Sequence, residues 1–186
     1  MGESIWRAID AGAVGATIGD APGIDGQPLE VEQAADRIAA ARHAADGTEI
    51  NFMLTARTDC YLTGMEAPFD ATVRRAKFYR RAGADCLFVP GVNNIATLAS
   101  LAREIPLPVA VAVGGNSYAF AIGDLQIAGV KRVCMGGSLA RGTMAHVRRA
   151  AEEIRQTGVL KIDSGEDTVA VDLPELFDDV WMENRV

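Results

Sequence analysis

Three ten-residue stretches of this 186-residue chain align without a gap: residues 11–20 (AGAVGATIGD), 82–91 (AGADCLFVPG) and 128–137 (AGVKRVCMGG). Each reads as a helix stop, a buried strand and a turn. Ala-Gly ends a helix because glycine tolerates the left-handed backbone, and the apolar run behind it suits a strand covered on both faces. Two further runs of the same type, residues 51–58 (NFMLTART) and 108–113 (PVAVAV), lie between segments of helical period. The pattern is strand, helix, strand, helix throughout, with five β/α units. A closed (β/α)8 barrel needs eight units and about 250 residues, so the chain reads as an α/β protein of TIM-barrel type that lacks the beginning of its barrel.

Length and a hydrophobic content of 49% allow a single sizeable core, and 19 glycines with only 6% aromatics fit a turn-rich α/β protein. The formal charge of −7 argues against nucleic-acid or anionic-membrane partners, which call for a basic face. That charge is local. From residue 159 onward, Asp163, Glu166, Asp167, Asp172, Glu175, Asp178, Asp179 and Glu183 face only Lys161 and Arg185, which leaves the preceding residues close to neutral. The expected organisation is therefore a partial barrel over residues 1–158 and an acidic tail over 159–186. Cys60, Cys86 and Cys134 are odd in number and widely spaced, which argues against disulfides and zinc and for a reducing cytoplasm. No signal peptide and no 18-residue apolar run is evident.

Along the chain, the period predicts helices over residues 3–11, 30–45, 94–103, 117–128 and 139–156, with another that begins at an Asp70 cap and carries Val73, Ala76, Phe78 and Tyr79. Asn94 and Ser117 are candidate caps, and Gly158 a stop. The loop over residues 19–29 (GDAPGIDGQPL) follows a strand's carboxyl end, where barrel enzymes place catalytic segments. In the tail, Leu176, Phe177, Val180 and Trp181 fall on one side of a short helix and predict a docking contact.

The strongest chemical signal is Thr55-Ala56-Arg57-Thr58-Asp59 at the end of an apolar strand, where alternation lets Arg57 and Asp59 share a face. A guanidinium placed there either clamps a carboxylate or phosphoryl group through its planar fork, or forms an internal pair with Asp59 at the barrel rim. Gly136-Gly137-Ser138 ahead of a helix is either an anion cradle or a tight turn with a serine cap. Gly114-Gly115-Asn116-Ser117 carries the same two readings. His43 and His146 lie on helices away from strand ends and read as structural, and Met135 and Phe88 as core.

ARTD, RRAGADCLFVPGV, PLPVAV and AGVKRVCMGGSLAR, in this order and at these spacings, resemble the isocitrate lyase/phosphoenolpyruvate mutase family, especially its smaller bacterial mutase-like members. The resemblance runs from about Glu3 to about Gly158. It implies an enzyme that uses magnesium and a small 2-oxo acid or its enolate, and that makes or breaks a C–C or P–C bond. Arg57 then matches the clamp on the substrate's carboxylate or phosphonyl group; Asp59, Gly137 and Ser138 are the other candidate substrate contacts from the residues themselves, and Asp20 is a carboxylate able to bind water near a metal. The departures are specific. Gly19-Asp20 stands where the family carries Glu-Asp, and Ala110 where it commonly carries asparagine. The segment 21–30 holds none of the Cys, Lys or Asn used by the family's gating loops, and the strands bearing its Asp-x-Asp metal motif have no counterpart. These departures argue against isocitrate lyase activity itself and leave the acid–base residues unassigned. They favour a decarboxylating, lyase or phosphonomutase-like ancestry, impaired in this chain. The alternative is a non-catalytic remnant with an association role. Unpaired barrel edges, and the family's habit of exchanging C-terminal helices, imply a homo-oligomer.

Overall fold

The computed structural model describes residues 1–23, 26–114 and 119–159. The elements run α1 (Gly2–Asp10), β1 (Gly15–Gly19), α2 (Val31–Asp46), β2 (Met53–Arg57), α3 (Pro68–Arg81), β3 (Cys86–Phe88), α4 (Ile95–Glu104), β4 (Val109–Ala112), α5 (Ile122–Ile127), β5 (Arg132–Cys134) and α6 (Ser138–Thr157). Among the described residues the five strands form one parallel sheet in the order β1-β2-β3-β4-β5, the succession of a barrel wall. The glycines of the three aligned stretches do what the pattern requires. Gly12, Gly83 and Gly129 have φ of 90°, 98° and 87°, the left-handed turn that ends a helix and starts a strand.

Pairing places Ile18, Ala56, Leu87 and Val109 in one lateral row, on the sheet face that the helices cover. Ile18 is 6% exposed and Ala56, Leu87 and Val109 at most 1%, and they join Ile38, Ala41, Ala76, Tyr79, Leu98, Leu101 and Leu125 in one core. The next row, one residue on, is Gly19, Arg57, Phe88, Ala110 and Arg132, and because strand side chains alternate it lies on the opposite face. Arg132 on β5 donates from Nη1 to Thr55 Oγ1 on β2 at 3.1 Å. Three strand spacings of a flat sheet amount to about 14 Å, more than these side chains span, so the sheet is curled toward this face. The curl makes the row with the two arginines the inside of a partial barrel.

Two local expectations change. Asp70 is not the cap of α3. Pro68 opens that helix, behind Ala67 in a left-handed conformation, because the fixed φ of proline suits the first position. Asp70 instead sits in the first turn, where the helix dipole favours its charge. Met135 is not core but 51% exposed, since it lies beyond the end of β5. The Asn94 cap holds, its Oδ1 accepting from the Thr97 N–H at 3.1 Å. The expected Ser117 cap, Gly115, Asn116 and the tail stripe of Leu176, Phe177, Val180 and Trp181 lie outside the described residues.

The chain divides into two compact units, Met1–Ser138 and Leu139–Val186, one helix earlier than the boundary read from the sequence. The first holds the sheet and its core. In the second, α6 has no buried residue, and Leu139, Met144, Val147 and Ile154 are exposed. No helix of the described residues is long and apolar enough to cross a membrane.

Leu87 is fully buried at the centre of the sheet, so Leu87→Ala is expected to cost about 2–5 kcal/mol in urea unfolding. Val14→Thr, at a site 70% exposed, should stay within about 0.5 kcal/mol.

Candidate active site

β1 and β2 pair with Gly19 beside Arg57, so the two segments leaving their carboxyl ends start side by side. Asp20 follows β1 directly and is 2% exposed. A carboxylate so deeply buried needs partners, and the chain supplies several donors. Asp20 Oδ1 accepts from the Asp59 N–H at 3.0 Å, and Oδ2 from Arg75 Nη1 at 3.1 Å and Tyr79 OH at 2.8 Å. Its own N–H donates to the Arg57 carbonyl at 3.0 Å.

Arg57 and Asp59 do share a face. Arg57 Nε donates to Asp59 Oδ1 at 2.7 Å, and the guanidinium lies over the Phe88 ring, 5.7 Å from its centroid. Both alternatives for this arginine are therefore partly met. Only Nε is committed to Asp59, and among the described residues Nη1 and Nη2 have no protein acceptor. The side chain is 38% exposed and lines an open cleft of about 680 Å³ with Thr17, Gly19, Gly23, Gln27, Asp59 and Thr63. With an aromatic face beneath and a carboxylate on Nε, Nη1 and Nη2 keep the planar donor geometry that suits a carboxylate or phosphoryl group.

The other expected site residues are placed differently. Gly137 and Ser138 do not line this cleft. Gly136 turns the chain at φ 52° and the Ser138 N–H donates to the Met135 carbonyl at 3.1 Å, the geometry of a tight turn. Asp20, the candidate metal residue, has both oxygens occupied by a guanidinium, a phenol and an amide, so it is a structural anion and not a free ligand. Among the described residues no group of three or more His, Cys, Asp or Glu side chains could hold a metal ion. Space is not the obstacle at position 19. A Cβ built there would sit 3.9 Å from Arg57 Cδ, an ordinary contact, so the missing carboxylate reflects the residue itself. These residues do not fit a magnesium ion. His43 and His146 are exposed on α2 and α6, away from the cleft.

Sequence reasoning missed Arg75, Tyr79's polar role, Phe88's place under the guanidinium, and Arg132. The signal for Arg75 was present. It falls in the buried stripe of α3 with Thr72, Val73, Ala76 and Tyr79, and a charge in such a stripe demands a buried counter-ion. Burial opposes the charge of Arg75, but the Tyr79 hydroxyl and the Asp20 carboxylate outweigh it and hold its pKa above the ordinary value. Burial, and then Asp20, push the Tyr79 phenol far up. Arg132, which also faces the barrel interior, keeps a buried Nε without a partner among the described residues. Burial raises the Cys86 thiol on the same face, against the opposing charge of Arg132.

The parallel sheet, in the strand succession of a barrel wall, carries Arg57 at the carboxyl end of β2, where the cleft opens. The chain belongs to the phosphoenolpyruvate phosphomutase family, whose model matches residues 1–155. It is 36% identical to a lyase/mutase from Burkholderia cenocepacia J2315 of known crystal structure, superposing with a TM-score of 0.82 over 97% of this chain and 63% of that one. It is 27% identical over 149 residues to oxaloacetate decarboxylase 2 of Pseudomonas fluorescens (strain Pf0-1), covering 80% of this chain and 46% of that protein. Phosphonopyruvate hydrolase, solved with oxalate and Mg²⁺, shares the fold at 22% identity and a TM-score of 0.75, over 98% of this chain and 65% of that one. The chain spans less than half the length of the curated relatives it matches.

The raised Tyr79 pKa has a stability consequence. A phenol held neutral in the fold contributes stability that is intact below pH 10 and is lost as pH rises above it, because only the unfolded chain ionises there. Chemical unfolding followed between pH 9 and 11 should show this loss, and Tyr79→Phe should make it shallower.

Proposed function

We propose that this chain carries the carboxylate-binding half of a lyase/mutase site for a small 2-oxo acid or its enolate, in the class that makes or breaks C–C or P–C bonds. The observation that carries this reading is the Arg57 fork. Nε is tied to Asp59, Phe88 lies under the guanidinium plane, and the residue lines an open cleft. Two parallel N–H···O bonds from such a group neutralise a carboxylate and fix the plane of the carbonyl next to it. That orientation also suits an enolate, whose charge is conjugated with the same plane. Oxaloacetate and oxalate, named for the relatives, both present the carboxylate that this fork fits.

The described residues make no magnesium site, so no step of the reading runs through a metal ion. The same fact favours a second reading, that this polypeptide alone binds without catalysing. Two edge strands, β1 and β5, each paired on one side only among the described residues, support the proposal that the chain associates with copies of itself. The 2% exposure of Asp20 and the modest 10% of Asp59 leave neither as an evident proton donor, and the acid–base residue stays unassigned.

Oxalate titrated into the ¹⁵N-labelled chain should shift the Arg57 Nε–H and Asp59 amide signals with weak affinity. Charge-assisted hydrogen bonds of about 1.5–3 kcal/mol predict a loss of roughly 10- to 100-fold in Arg57→Ala. Added Mg²⁺ should leave the wild-type affinity unchanged. Oxalate binding that survives Arg57→Ala, or that Mg²⁺ tightens strongly, contradicts the reading.

A further inference from the structure

A buried ion pair is an inefficient way to stabilise a fold, because removing two charges from water offsets most of their attraction. Arg75 and Asp20 nevertheless form one, with side chains 9% and 2% exposed. Their position explains what it does. Asp20 stands where three segments meet: the end of β1, the end of β2, and the return of the chain at Leu29. Its side chain holds the Asp59 N–H and its backbone N–H holds the Arg57 carbonyl, so it grips the strand end on both sides of Thr58. Its carbonyl accepts from the Leu29 N–H at 2.9 Å, and Arg75 Nη2 donates to the Leu29 carbonyl at 2.7 Å.

We propose that Arg75 and Tyr79 are positioning residues for the Arg57 fork, acting through the shared carboxylate of Asp20 and the backbone of Asp59. This rests on the carboxylate-binding reading of Arg57. Neither residue lines the cleft. Both reach Asp20 Oδ2 from α3, where a spacing of four puts them on one helix face, and Arg75 Nη1 also donates to Tyr79 OH at 3.0 Å. With Oδ2 held by these two donors, Oδ1 is directed at a single amide, that of Asp59. That amide sets where the Asp59 carboxylate stands, and the carboxylate sets the rotation of Arg57 about Nε. Remove the α3 donors and Asp20 keeps one partner instead of three. The one that stays is the Asp59 amide, now on a carboxylate free to turn, so the Asp59 carboxylate and the Arg57 Nε bonded to it are held less firmly in place.

The test reads the fork directly, with and without ligand. In ¹⁵N NMR of the full chain, Arg75→Met should shift the Arg57 Nε–H resonance and raise its solvent exchange about tenfold or more. Oxalate affinity should fall about tenfold. Tyr79→Phe removes one hydroxyl, and is expected to give the same changes at smaller size; it carries the test where Arg75→Met does not fold. Leu98→Ala, in the remote core of α4, serves as a variant of comparable stability loss, and its Nε–H signal and oxalate affinity should match wild type. An Nε–H signal unchanged in Tyr79→Phe and in any folded Arg75→Met overturns the proposal. So does one that moves equally in Leu98→Ala. Because the Nε–H signal is read without ligand, absence of oxalate binding in the wild type would overturn the reading of Arg57 while this positioning role is still judged on exchange alone.

Discussion

The cleft depends on one buried carboxylate. Asp20 is enclosed where two strands end and a third segment returns, and each of its hydrogen-bonding atoms is assigned: two oxygens to the side chains and amide around it, the N–H to Arg57, the carbonyl to Leu29. An anion in that position, without those donors, would cost several kcal/mol. With them it joins β1, β2 and α3 into a single rigid corner. Everything that faces the cleft from β2 is referenced to that corner.

The second layer of the arrangement is the inside of the curled sheet. Its row, from Gly19 through Arg57, Phe88 and Ala110 to Arg132, carries two arginines, in contrast with the wholly apolar row that faces the helices. A parallel sheet covered on both faces has no need of arginines. Two of them share this face: Arg132 bonds Thr55 within the sheet, and Arg57 lines the cleft. Family membership supplies the chemical context, and the residues explain how far this chain carries it. Arg57 is held by Asp59 and Phe88 at the cleft, while among the described residues no cluster of three or more His, Cys, Asp or Glu could hold a metal ion.

Much of this was legible in the residues. The Ala-Gly stops located the strand starts because only glycine takes φ near 90° without strain, and strand, helix and cap followed from that frame. The pairing of Arg57 with Asp59 followed from alternation. Asp20 was legible as important and illegible in role, since a lone acid at a strand end looks alike whether it faces a cation from solvent or a guanidinium from a helix fifty-five positions on. The α3 cap was missed because Pro68 sets the helix start ahead of Asp70. The anion cradle at Gly137-Ser138 shared its signature with an ordinary turn, and the sequence could not say which strand ends would converge on one cleft.

The central claim is that Arg57 grips a carboxylate across the mouth of β1 and β2. A crystal structure of the chain soaked with oxalate tests it most directly. The account predicts oxalate in the cleft with two oxygens within about 3 Å of Arg57 Nη1 and Nη2, and Asp59 still on Nε. Oxalate seated instead at the Gly136–Ser138 turn, with the Arg57 fork turned onto a protein carboxylate, would contradict it.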